Sequence, residues 1–210
     1  MLEAGCLWIW ALSPQLTQIY TPEFTREFSA RFQVLPLPLV GALNVGSTVL
    51  LLEVGLLVMI AGYLLGLAVL VSGSPSHVPL RSTEQALAGW LVLGFALVFR
   101  LTMLCLPGFF STDIFSYVMY GRIAGVHADN PYLHVPADFA DDPFLTWVFP
   151  FWRETATVYG PAWTDFGWLL GKLTGGLSNL DQVLVYRCSL GLAELLTLVM
   201  VWWLLGRTRP

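Results

Sequence analysis

Three long apolar runs decide what this chain can become. Residues 47–72 read STVLLLEVGLLVMIAGYLLGLAVLVS, residues 86–106 read ALAGWLVLGFALVFRLTMLCL, and residues 183–206 read VLVYRCSLGLAELLTLVMVWWLLG. A helix crosses a bilayer with about 20 mostly apolar residues, so each run is long enough to span. Few charges interrupt them: Glu53 in the first, Arg100 in the second, Arg187 and Glu194 in the third. The whole chain is 56% hydrophobic and 11% charged, against about 25% charged residues in soluble domains. The expected fold class is therefore an all-α integral membrane protein with about three transmembrane helices. A net charge of −4 argues against nucleic acid as a partner, because phosphate binding needs a basic footprint.

The runs divide the chain. Residues 1–45 form an undecided or interfacial segment: CLWIWAL is too short to span, and VLPLPLVGAL is broken by Pro36 and Pro38. No basic n-region marks a signal peptide. Residues 46–106 hold two spans joined by a short loop with Arg81. Residues 107–182 form a long loop, and residues 183–210 hold the third span and a basic tail with Arg207 and Arg209. The loop carries eight acids against Arg122, Arg153 and Lys172. The positive-inside rule then puts Arg81 and the tail in the cytoplasm and the loop outside. The three cysteines, Cys6, Cys105 and Cys188, make no metal pattern. A Cys105–Cys188 disulfide can be drawn, but free Cys is commonly a small buried apolar residue.

The long loop has helical periodicity of its own. In YGPAWTDFGWLLGKLTGGL, Pro161 suits a first helical turn. At 100° per residue Trp163, Phe166, Leu170, Leu173 and Leu177 share one face, opposite Asp165, Trp168 and Lys172. This juxtamembrane helix over 161–175 is expected to lie in the outer interface. A fourth span is the rival reading, and it would put Arg207 and Arg209 outside.

The stretch FFSTDIFSYVMYGRIAGVHADNPY, residues 109–132, carries the chemistry. Ser111 or Thr112 is placed to cap a helix over 112–124, with Asp113 in its first turn, where the helix dipole favours negative charge. Asp113, Ser116, Tyr117 and Tyr120 fall within one arc, and Phe115, Val118, Met119 and Arg122 fall opposite. Gly125 reads as a C-cap, and Asn130-Pro131 as a turn. An acid in a first turn is often only a helix-stabilising charge. His127 and His134 with Asp129 or Asp138 allow a metal set to be drawn, but no fixed ligand spacing supports one. Asp141-Asp142 reads as a solvated turn.

The ordered set Asp113-x3-Tyr117-x3-Gly121-Arg122-x2-Gly125-x4-Asn130-Pro131-Tyr132, followed by Trp152 and Tyr159-Gly160-Pro161, resembles the first extracytoplasmic loop of C-type glycosyltransferases. The nearest likeness is to bacterial polyprenol-phosphate-mannose-dependent mannosyltransferases, over about residues 86–207. The resemblance implies a multi-span enzyme of the bacterial plasma membrane. It would move a sugar from a polyprenyl-phosphate donor to a glycan or lipid-linked acceptor outside the cytoplasm, with juxtamembrane helices beside the reaction centre. It implies Asp113 as the catalytic acid or base. The substrate-binding candidates are Tyr117, Tyr120, Arg122, Asn130, Tyr132, Tyr159 and Arg187, with Arg122 foremost at the lipid phosphate, Arg153 and Arg187 behind it, and Arg187 at the start of the following helix. No cofactor is expected. Some relatives use a divalent cation with paired acids, and Asp113 has no acidic neighbour in sequence. The family usually has more spans than three, so a partial chain, or a partner chain supplying further helices, is also expected. Two other functions fit the pattern: a non-catalytic membrane subunit, scaffold or inactive remnant, and a transporter fragment using Glu53, Arg100 and Glu194.

Overall fold

Proline and hydroxyl groups set where the helices begin. The computed structural model describes residues 21–32, 45–72, 82–105 and 111–207. CLWIWAL, VLPLPLVGAL, Arg81 and Arg209 lie outside these residues. The described elements are α1 (Pro22–Arg31), α2 (Val45–Ser72), α3 (Ser82–Leu104), α4 (Asp113–Gly125), 3-10 turns at Pro136–Asp138 and Pro143–Trp147, α5 (Pro150–Arg153), α6 (Pro161–Thr174) and α7 (Asn179–Arg207). Proline opens α1, both 3-10 turns, α5 and α6, since its fixed φ suits a first turn and its missing N–H costs nothing there. Thr21 Oγ1 accepts the Phe24 N–H at the head of α1. No strand occurs among the described residues, so the chain is all-α.

The chain forms two units, one from residues 1–15, 34–106 and 191–210, the other from residues 16–33 and 107–190. In the first unit, α2, α3 and the later part of α7 expose mostly apolar residues. Leu57, Leu64, Trp90, Phe95, Leu196 and Met200 are all exposed, which suits hydrocarbon rather than water. Among the described residues two stretches are long and apolar enough to cross a membrane, Val49–Gly66 and Asn179–Leu204. Only 6% of the first window and 11% of the second is buried within the protein, unlike the core helix of a soluble domain. The apolar part of α3, Gly89–Leu104, is shorter. Of the three expected spans, two therefore meet the length criterion. Arg100 on α3 pairs with Glu194 on α7, so each charge has a counter-ion close by. Trp90 packs edge-on against Trp202 at 5.8 Å, and Gly89 leaves the space that Trp202 occupies.

The second unit has a true core. Phe115, Val118, Met119 and Ile123 of α4 are buried with Phe144, Trp147, Val148, Leu170, Leu180, Val183 and Tyr186. Part of the undecided N-terminal segment belongs here. Phe24 and Phe28 of α1 are buried, with Phe24 edge-on to Phe115 at 5.0 Å and to Trp147 at 5.3 Å. The ion pair between Arg31 and Asp181, 2.7 Å apart, is exposed and adds little.

Glycines set the crossing of α4 and α6. Gly121 and Gly125 stand one turn apart on α4, Gly167 and Gly171 one turn apart on α6. A Cβ on Gly121 would lie 2.6 Å from Gly167 O and would strike the Tyr186 hydroxyl, and one on Gly171 would strike Gly121 O. This small-xxx-small pattern on both partners lets the backbones touch. It corrects one expectation, the Gly125 cap, and shows which residues of α6 meet α4. Gly125 is not a left-handed cap, since no described glycine has positive φ; a Cβ there would come within 2.5 Å of Lys172 N and Trp168 O. The buried stripe of α6 is Gly167, Leu170, Gly171 and Thr174, while Leu173 is 70% exposed, because small residues rather than leucines permit the approach of α4.

Candidate active site

The head of α4 holds its acid by a short local device. Ser111 Oγ accepts the Asp113 N–H at 3.0 Å, while Thr112 at the N-cap makes no side-chain cap bond. Asp113, Tyr117 and Tyr120 stand one turn apart along a single edge of the helix. The strap before α6 brings Tyr159 to that edge, and the first turn of α6 brings Trp163. The Tyr117 ring meets Tyr159 edge-on at 4.9 Å and Trp163 edge-on at 5.0 Å. Tyr120 lies 6.2 Å from Tyr159 and donates its hydroxyl to Thr155 O at 2.8 Å. Four of the predicted site residues, Asp113, Tyr117, Tyr120 and Tyr159, thus come together in one cluster.

Electrostatics divide the labour within it. Burial, and then the charge of Asp113, push the Tyr120 hydroxyl up to about 12. Tyr159 is also raised, by burial first, then by Tyr117 and by the Asp113 charge. Both phenols are therefore neutral at physiological pH. Asp113 is half-buried, and its carboxylate makes no hydrogen bond or ion pair among the described residues. The arrangement offers one carboxylate able to take a proton, ringed by neutral hydroxyls and aromatic faces.

The NPY turn braces this cluster. Asn130 Oδ1 accepts the Tyr132 N–H at 2.9 Å. The Tyr132 hydroxyl donates to Tyr159 O at 2.8 Å and lies 2.9 Å from Thr164 Oγ1. The Thr157 N–H donates to Pro131 O at 2.9 Å. Asn130 and Tyr132 therefore act on the backbone that presents Tyr159.

Arg122 differs from its expected place at a lipid phosphate. Its Nε donates to Asp142 Oδ1 at 3.0 Å and Oδ2 at 2.9 Å, and its Nη2 lies 2.9 Å from Asp142 Oδ2. Its Nη1 donates to Gln182 Oε1 at 3.0 Å and Gly175 O at 3.3 Å. The Arg122 side chain is 6% exposed and the Asp142 side chain 0%. The guanidinium is an internal tie between α4, α6 and α7. Nor is Asp142 a solvated turn residue. Burial would raise its carboxyl, but Arg122, then His127 at 2.6 Å and the Phe144 N–H at 2.8 Å, outweigh burial and hold it below the ordinary range. As a carboxylate it only accepts, so His127 Nε2 carries the shared proton. Arg153 donates to Val148 O at 2.9 Å. Arg187 sits half-buried on α7. His134 faces Asp129 at 3.4 Å with one ring nitrogen and Asp138 at 3.3 Å with the other. No group of three His, Cys, Asp or Glu converges on one point among the described residues. Cys105 and Cys188 are free thiols.

Two features escape the sequence reading. Trp163 reads as packing on α6, yet its ring closes the cluster; its place two residues after Pro161 in the YGP turn was the available signal. The Arg122–Asp142 tie has no periodic signature, because its partners are twenty residues apart with a loop between.

The family description "Alpha-(1->6)-mannopyranosyltransferase, N-terminal domain" matches residues 25–209. The chain belongs to this family. No curated protein and no solved structure matches it. The match runs through most of α1, the Asp113 cluster and α7, so the matched residues include parts of both units. The family assignment makes the chain a mannosyltransferase-type glycosyltransferase, which works on a sugar donor and an acceptor. With its apolar helices, it is a membrane protein.

Proposed function

We propose that Asp113 is the general base of a mannosyl transfer from a polyprenyl-phosphate donor to a glycan or lipid-linked acceptor outside the cytoplasm of a bacterial cell. The observation that carries this reading is the half-buried Asp113 carboxylate beside the Tyr117 ring and the neutral phenols of Tyr120 and Tyr159. In the reaction the acceptor oxygen bonds to the anomeric carbon. The bond from that carbon to the phosphate oxygen breaks, its electron pair leaves with the lipid phosphate, and Asp113 takes the acceptor proton. Tyr117 and Trp163 offer aromatic edges and faces to the sugar. Arg187, half-buried on α7, is the arginine proposed for the leaving phosphate.

Three spans, with α3 as the second, and an outward loop complete the proposal. The acidic lining of the loop and the basic residues at the far ends of the apolar runs support that orientation. A partner chain bringing further helices fits the same picture. The deciding measurement is mannosyl transfer from a polyprenyl-phosphate donor, in membranes of cells whose own copy carries Asp113→Asn. A loss of about 100-fold or more is expected for a general base. Transfer at the wild-type rate would rule out Asp113 and favour a scaffold.

A further inference from the structure

A second concavity opens between the Asn130 turn and α6, lined by Asp129, Asn130, Tyr132, Thr164, Asp165 and Trp168. We infer that this groove is a glycan-binding subsite that seats the body of the acceptor chain while its end is glycosylated at Asp113. The inference rests on the proposed transfer reaction and adds a location and a chemical class to it.

The lining decides the class. Two acidic residues and no basic one line the groove, with the Lys172 ammonium held over the Trp168 ring, so the net charge disfavours an anion, including the donor's own phosphate. Asp165 is exposed, and its carboxylate has no partner among the described residues. Asn130 uses its Oδ1 on the Tyr132 N–H, which leaves its NH2 as a donor. Thr164 adds a hydroxyl. Trp168 is 44% exposed and has the Lys172 ammonium 5.3 Å from its ring centroid, a cation–π contact that steadies the indole. Carboxylate acceptors, an amide donor, a hydroxyl and an indole together suit a neutral polyhydroxylated chain, whose hydroxyls need both kinds of partner and whose C–H faces stack on aromatics. The small side chains of Ala124 and Ala128 widen the wall. Ala128 has φ 56°, a left-handed conformation that an alanine resists and that appears at ligand-clamping turns.

The groove is also in register with the reaction centre. Tyr132 lines it, and the same hydroxyl holds Tyr159 O at 2.8 Å. Ala124 continues the α4 edge that carries Asp113, Tyr117 and Tyr120. Eleven residues at about 1.5 Å each put it roughly 16 Å along the helix from Asp113, a reach of a few sugar units.

The test is calorimetric titration of the purified full chain with α-(1->6)-linked mannotetraose, beside inorganic phosphate and a lysine-rich peptide as competing chemistries. The tetraose is expected to bind wild type and Asp113→Asn equally. Asp165→Asn and Trp168→Ala are expected to bind about tenfold more weakly or worse, with unchanged melting and circular dichroism. Asp165→Asn, at an exposed site, guards against misfolding of the tryptophan variant. No tetraose binding to wild type, tighter binding of phosphate or peptide, or full binding by both groove variants would overturn the inference. Failure here would leave the Asp113 assignment standing if Asp113→Asn abolishes transfer. Conversely, groove binding by an Asp113→Asn protein that still transfers mannose would retain the groove and remove Asp113 as base.

Discussion

Asp142 is the residue on which most of the second unit's polar order converges. It accepts from Arg122, His127 and the Phe144 N–H while fully buried. Removing one partner of a buried pair strands the other charge, so Asp142→Ala should destabilise by about 3–5 kcal/mol, read from denaturant midpoints. Its pH dependence has a definite sign. A folded-state carboxyl held low contributes fully above the unfolded value of about 3.9 and loses that contribution as pH falls through the lower folded value. Stability that is flat down to pH 4 and then drops is expected for wild type, and a weaker drop for Asp142→Ala. Ser116 is the opposite case: its hydroxyl is buried without a partner among the described residues. An unmade hydrogen bond costs about 1–3 kcal/mol, so Ser116→Ala should leave the melting temperature equal or higher. A fall in transfer rate with raised stability would place that hydroxyl at substrate. None of this was legible in the residues. The helix arc grouped Ser116 with Tyr120 and put Arg122 on the opposite face without its partner Asp142, because periodicity sorts faces without saying what covers them.

Among the elements, α4 and α6 were the most legible. Expected over 112–124 and 161–175, they run Asp113–Gly125 and Pro161–Thr174, since Ser111, Asp113 and Pro161 mark their starts by capping chemistry that needs no tertiary context. Their packing was not legible, because the faces were assigned by hydrophobicity and the contact is made of glycine. Tyr117 and Trp163 stand one turn before Gly121 and Gly167 respectively, so the aromatic pair and the crossing share a geometry. Gly171→Ala should therefore act twice. A helical alanine gains about 1 kcal/mol over glycine, but this Cβ strikes the Gly121 carbonyl, a backbone atom that cannot swing aside. A net loss of about 1–3 kcal/mol with impaired transfer is expected. Gly66→Ala on α2, with nothing within 4 Å of the added carbon, should be neutral or better in the same melting assay.

For the whole molecule, length and apolarity made the membrane class plain, while α1 stayed hidden. Its two anchoring aromatics, Phe24 and Phe28, sit in a polar ten-residue helix, too short for a hydrophobic stripe to stand out. Their truncation should nonetheless be severe: Phe28→Ala, at 1% exposure, is expected to cost about 3–5 kcal/mol, seen as a lowered denaturant midpoint of the second unit. Every buried hydrophobic residue among those described belongs to that unit. Among the described residues the first unit has no comparable interior, and helices in lipid gain no hydrophobic drive toward one another. The chain thus answers to two solvents. Urea should titrate one part through water, while the choice of lipid or detergent governs the other, giving a melt in two phases. A single melting temperature would describe neither.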